Sequence, residues 1–141
     1  TLRGIHFNRN FDRSAKIIFC SSGSIFDVSF SLERSREKDL NINYHELRSG
    51  NRQYLYLPRG YAHGYISLEA NTRVTYLLEE DYVPQDQRGI LWSDLDLAIK
   101  WPLSPNSIST KDQNWPTYKE AMQLLESARF EGNASGEETS R

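Results

Sequence analysis

Three histidines, one cysteine and a scattering of carboxylates, tyrosines and lysines are the groups in this chain that can move protons or bind ions. His45 lies in a polar strand pattern and reads as a surface residue. His63 closes the run Pro58-Arg59-Gly60-Tyr61-Ala62-His63, where a tight turn delivers the imidazole to the start of a strand. His6 sits in Leu2-Arg3-Gly4-Ile5-His6-Phe7 between apolar neighbours, and strict alternation puts it on the same face as Gly4. Each histidine, taken alone, fits a structural role as well as a catalytic one. With an unperturbed pKa of about 6.5, though, a positioned histidine is a natural general base near neutral pH. No H-x-H pair exists, so His6, His63 and one carboxylate would give a catalytic metal only a thin shell. Cys20 alone excludes both a disulfide framework and a multi-cysteine zinc site, and reads as a small buried residue. The phosphate-cradling, dinucleotide, zincin and nucleophile-elbow signatures are all absent. The chemistry therefore falls to side chains alone, with no cofactor and no metal.

The elements that must position these groups are strands. In Ile25-Phe26-Asp27-Val28-Ser29-Phe30-Ser31-Leu32 the even positions are apolar and most odd ones polar, the period of a half-buried strand. Lys16-Ile17-Ile18-Phe19-Cys20 precedes it across Ser21-Ser22-Gly23-Ser24, so the two read as a hairpin. Further strands are expected at residues 42–48, 53–57, 63–68 and 72–79, between turn-like separators. Residues 84–115 carry three prolines and three tryptophans and read as an irregular wrapping segment. A helix is expected over residues 117–125 with Pro116 near its start, and a disordered tail from about residue 131. The fold class is thus all-β, a jelly-roll barrel or sandwich with a short C-terminal helix. At 141 residues, 38% hydrophobic and 26% charged, the chain fits one domain, residues 1–130. A formal net charge of −2 with no basic run argues against nucleic acid. No apolar stretch approaches the ~20 residues of a membrane span, and no signal sequence is recognisable, so a cytoplasmic location is expected. The chain opens at Thr1 without a methionine, and strands upstream of it are expected to be missing.

As an ordered set, these segments resemble the dTDP-4-dehydrorhamnose 3,5-epimerase family. Leu2-Arg3-Gly4-Ile5-His6-Phe7 is similar to its L-R-G-L-H-F motif. Phe26-Asp27-Val28, residues 58–64, Tyr76 through Tyr82, residues 86–94, Ile99-Lys100-Trp101-Pro102 and Ser109-Thr110-Lys111-Asp112 follow in family order. The P-x-G-x-x-H run also resembles the second cupin motif. Gln87 stands where the family commonly has glutamate, and Phe7-Asn8-Arg9-Asn10-Phe11-Asp12 lacks the usual glutamine and prolines.

The resemblance implies a cofactor-free epimerase of a nucleotide-linked 4-keto-6-deoxy sugar, working as a homodimer in deoxysugar (dTDP-rhamnose type) biosynthesis. It implies His6 as base, Asp112 orienting the imidazole and stabilising its charged form, and Tyr76 as proton donor. Arg3, Lys16, Asp27, His63, Tyr82 and Lys111 are implied at the substrate, Lys16 at the enolate oxygen and Arg3 at the diphosphate. Plainer readings stand beside these: Tyr76 as core with Val74 and Leu78, Lys16 and Asp27 as a cross-strand ion pair, Asp112 as loop surface. A non-catalytic cupin binding module, or a sugar-nucleotide ketoisomerase or metal cupin, are the alternative functions.

Overall fold

The computed structural model describes residues 1–10, 14–33 and 40–136. Eight strands run in the order β1 (Leu2–Asn8), β2 (Lys16–Ser22), β3 (Ser24–Ser31), β4 (Asn43–Arg48), β5 (Leu55–Leu57), β6 (Tyr61–Ser67), β7 (Arg73–Leu78) and β8 (Gln87–Gly89). They form two antiparallel sheets, β4-β3-β6-β1-β8 and β5-β2-β7, stacked as a jelly-roll sandwich. Two helices follow, the single turn α1 (Thr110–Gln113) and the longer α2 (Tyr118–Gly136).

The expected hairpin between β2 and β3 does not form. β2 pairs with β5 and β7, and β3 pairs with β4 and β6, so the connection is a corner from one sheet to the other. Gly23 makes the corner possible at φ +73°, where an added Cβ would meet Thr72 at 2.3 Å. Lys16 and Asp27 are consequently not cross-strand neighbours; they belong to opposite sheets.

The large sheet is buried on both faces. Toward the small sheet, Ile18, Cys20, Ile25, Leu47, Leu57 and Tyr65 form one core. On its other face, Ile5, Phe7, Phe30 and Ala62 pack under Ala121, Met122 and Leu125 of α2. The helix spacing of 121, 122 and 125 presents one apolar stripe to the sheet. α2 begins with a reciprocal cap, in which the Thr117 amide donates to Glu120 (2.9 Å) and the Glu120 amide to Thr117 Oγ1 (3.3 Å). Buried Asp94 accepts from the Tyr118 amide at 2.8 Å and fastens that end to the wrapping segment.

The helix runs well past Leu125, because Ala128, Arg129 and Glu131 are good helix formers that sustain it without core contacts. The tail expected from residue 131 is therefore helical through Gly136, and residues 137–141 lie outside the described residues. Residues 84–115 are likewise less irregular than their composition implies, since they contain β8 and α1.

β1 departs from strict alternation. Its pairing with β6 shifts register between Arg3 and His6, and Gly4 sits at φ +111°. A Cβ on Gly4 would lie 2.7 Å from the Gly64 Cα, so only glycine admits this approach of β1 to β6. The extra residue reverses the strand's parity. Arg3 and His6 both face the cavity described below, while Ile5 and Phe7 face α2. His6 does not share a face with Gly4, contrary to the simple period-2 reading. Along the free N-terminal half of β1 runs the segment before α1: the Leu2 amide donates to the Ser107 carbonyl (2.9 Å), and Leu2 bridges Ile108.

Candidate active site

Between the sheets, at the end where β1, β2, β6 and β7 converge, opens a cavity of about 1120 Å³. Arg3, His6, Lys16, His63, Tyr76 and Tyr82 are on its walls. Of the side chains expected from sequence, these six converge. Asp27 and Asp112 are buried behind His63 and His6 respectively. Lys111 does not line the cavity. Its ammonium donates to Gln87 Oε1 (2.6 Å) and lies 5.3 Å from the ring centroid of Trp115. His45 is exposed and remote, and Cys20 is buried core.

His6 Nε2 lies 2.6 Å from Asp112 Oδ1. A carboxylate can only accept, so it fixes the Nε2–H tautomer and leaves Nδ1 as the basic nitrogen. Asp112 is 3% exposed and held in place by several donors. Trp115 Nε1 donates to Oδ1 (2.9 Å), the Gly4 amide to Oδ2 (3.3 Å), and Asp112's own amide caps onto Ser109 Oγ (3.1 Å). Burial pushes the Asp112 carboxyl up, but the His6 bond and charge with these donors overcome it and hold the carboxyl below its usual range. Burial lowers the His6 pKa, only partly opposed by Asp112, while His63 and Lys16 push the same way as burial. His6 is thus neutral, with its base form present, at neutral pH.

On the facing sheet, Tyr76 stands opposite Ile18 and Lys16 opposite Leu78, so both point inward from adjacent strands. Tyr76 as a residue keeps 39% of its surface, yet burial about its hydroxyl pushes its pKa far up, helped by the adjoining Tyr65 hydroxyl and the charge of Asp27. It is a firmly protonated phenol. Burial lowers the Lys16 ammonium, and Asp27 pulls it back. His63 Nε2 pairs with Asp27 Oδ2, and the His63 ring meets Tyr76 edge-on at 6.2 Å. Asp27 Oδ1 has no hydrogen-bond partner among the described residues, and the charge of Asp27 acts on Lys16. Among the described residues no group of three or more His, Cys, Asp or Glu side chains is placed to hold a metal ion.

Two participants escaped sequence reasoning. Tyr65 backs Tyr76, and Trp115 packs edge-on against His6 with 6.1 Å between centroids. Neither carries a local signal, because Tyr65 matters through Tyr76 on another strand, and Trp115, although its N–H donates to nearby Asp112, meets His6 far away in sequence.

An imidazole on one wall, a phenol on the opposite wall and the cations Arg3 and Lys16 lining the same cavity, set in an antiparallel jelly roll, define a cupin-type fold with groups capable of acid–base chemistry. The particular lineage follows from comparison. The family model of dTDP-4-dehydrorhamnose 3,5-epimerase matches residues 1–120, and the chain belongs to that family. The dTDP-4-dehydrorhamnose 3,5-epimerase of Methanothermobacter thermautotrophicus is 35% identical over 122 residues, 84% of this chain and 65% of that protein. The chain thus spans just under two thirds of that relative's length. The crystal structure of the Bacillus anthracis enzyme of the same name, with TDP and pyrophosphate bound, superposes with a TM-score of 0.77 at 34% identity, over 83% of this chain and 67% of that one. ChmJ, a 3'-monoepimerase from Streptomyces bikiniensis in complex with dTDP-quinovose, gives 0.79 at 28% identity, over 88% and 63%. No helix among the described residues is long and apolar enough to cross a membrane.

Proposed function

We propose that this protein epimerises a nucleotide-linked 4-keto-6-deoxy sugar of the dTDP-4-dehydro-6-deoxyglucose class, at C3, C5 or both, by proton transfer between its own side chains. The observation that carries this reading is the placement of a carboxylate-backed imidazole and a protonated phenol on opposite walls of one cavity. Inversion at carbon needs a base on one face of the sugar and an acid on the other.

His6 Nδ1 removes the proton from a carbon beside the C4 ketone, and the electron pair moves into the carbonyl as an enolate. Asp112 stabilises the imidazolium that forms. Lys16 lies where a cation offsets charge on the enolate oxygen, and the His63–Asp27 pair lines the same wall. Tyr76 then gives its proton to the opposite face of the carbon, the enolate collapses to the ketone, and solvent restores the phenol and the free imidazole. Arg3, with a guanidinium fork suited to phosphate oxygens, faces the diphosphate. Tyr82, at the mouth, packs beside the sugar. Lys111 acts at one remove, by holding Gln87 at the cavity edge. The protein works as a homodimer, a reading supported by Tyr54, Tyr56 and Leu77, exposed together on the outer face of the small sheet, and its expected location is the cytoplasm.

Deuterium incorporation into dTDP-4-dehydro-6-deoxyglucose in heavy water tests the function. Exchange at C3 or C5 that is lost in His6→Ala is expected, while nucleotide binding persists. A protein that binds the nucleotide sugar without exchange is a binding module, and the reading fails.

A further inference from the structure

We propose that Trp115 is a positioning residue for the His6–Asp112 pair, holding the carboxylate against the imidazole and setting how strongly that carboxylate binds the imidazolium. The role as part of a proton-transfer site rests on the function proposed above; the coupling itself does not.

Trp115 touches the pair in two ways at once. Its indole N–H donates to Asp112 Oδ1, the same oxygen that meets His6 Nε2, and its ring edge packs against the imidazole. The ring is held from both sides. Gly89 of β8, opposite His6 in the pairing with β1, lies against the indole so closely that a Cβ there would sit 2.3 Å from ring atoms. The Lys111 ammonium covers the ring and is itself tied to Gln87 of the same strand. The missing side chain at Gly89 is thus the seat of the indole, and β8 fixes the indole relative to β1.

Oδ1 shares its lone pairs between the two donors. Without the indole N–H, the full acceptor strength of Oδ1 falls on His6, and water gains access to the imidazole. Both changes favour the imidazolium. The other groups facing His6 stay in place: Lys16 from β2, His63 from β6, Tyr76 from β7, and Glu80, Asp81, Tyr82 and Asp86 around a small adjoining pocket that His6 also lines.

Trp115→Phe keeps a ring over Gly89 and removes the donor. The His6 imidazole, titrated by NMR without substrate, is expected to move up by about half a pH unit or more, as a carboxylate loses one of its few donors. The acid limb of the rate profile should move with it. A variant that is less stable but titrates unchanged makes Trp115 ordinary packing and overturns the proposal. Should the variant not fold, the Trp115 indole N–H resonance of the unaltered protein decides. It is expected to titrate together with His6, and a signal indifferent to His6 protonation refutes the coupling. Because neither NMR readout needs turnover, absence of sugar exchange would remove the proposed function while leaving this test intact.

Discussion

Asp112→Asn is the substitution that separates orientation and charge from mere space-filling. The carboxylate receives three donors, from His6, Trp115 and the Gly4 amide, at 2.6, 2.9 and 3.3 Å, in a site 3% exposed. An amide offers one acceptor oxygen. If that oxygen faces His6 and Trp115, the NH2 group faces the Gly4 N–H; if it faces Gly4, the NH2 confronts the indole N–H and forces the wrong imidazole tautomer. Either way a buried donor is left unpaired, at a cost of about 1–3 kcal/mol in stability. The imidazolium also loses its counter-charge, so kcat should fall about 10²–10⁴-fold, the span of general-base catalysis. The pH behaviour carries a definite sign. Asp112 raises the His6 pKa while burial, His63 and Lys16 lower it, so removing the charge leaves the lowering influences unopposed and shifts the acid limb of kcat/KM to lower pH. The stability advantage of the native protein has its own window. The folded Asp112 carboxyl lies below its ordinary value of 3.8, so the advantage is present above that pH and is lost as pH falls through the folded value. Deuterium exchange into the substrate across pH, with denaturant melts on both proteins, measures all three. Near-native turnover in the variant, or an acid limb that moves upward, would refute the dyad.

Tyr76→Phe keeps the ring and removes the proposed proton source. Loss of the substrate C–H should continue while inversion falls roughly 10²-fold or more, read as exchange without product epimer, and unchanged product stereochemistry would return Tyr76 to packing. Phe30→Ala, fully buried under α2, should cost about 3–5 kcal/mol in unfolding free energy; a loss below 1 kcal/mol would mean the helix is not seated as described. Prolonged chelation should leave exchange activity intact, and activity lost and then restored by a divalent ion would favour a metal-dependent cupin.

Much of this architecture is legible in sequence patterns, because a strand such as β2 buries alternate residues, Ile18 and Cys20, against a single layer. Where a strand serves two cores the pattern misleads. Leu2-Arg3-Gly4-Ile5-His6-Phe7 looks like simple alternation, and only the approach of Gly4 to Gly64 reveals that one residue is inserted. The β2–β3 corner was unreadable for a related reason: a short turn between two strand patterns does not say whether the strands share a sheet. Asp112 lies 106 residues from His6, and family resemblance alone pointed to the pair. Trp115 was hidden further still, since what it needs from the chain is the lack of a side chain at Gly89.

The proposed base and its support come from different ends of the chain. His6 rides on β1 inside the sandwich, whereas Asp112 and Trp115 belong to the C-terminal segment that α2 clamps onto the opposite face of the large sheet. Undocking of that segment is a sub-global opening, less costly than melting the sheets. It strips the imidazole of its carboxylate while the sandwich stays folded. Thermal inactivation should therefore run ahead of the loss of β-structure, and weakening the seat of Met122 and Leu125 should widen the gap between the two.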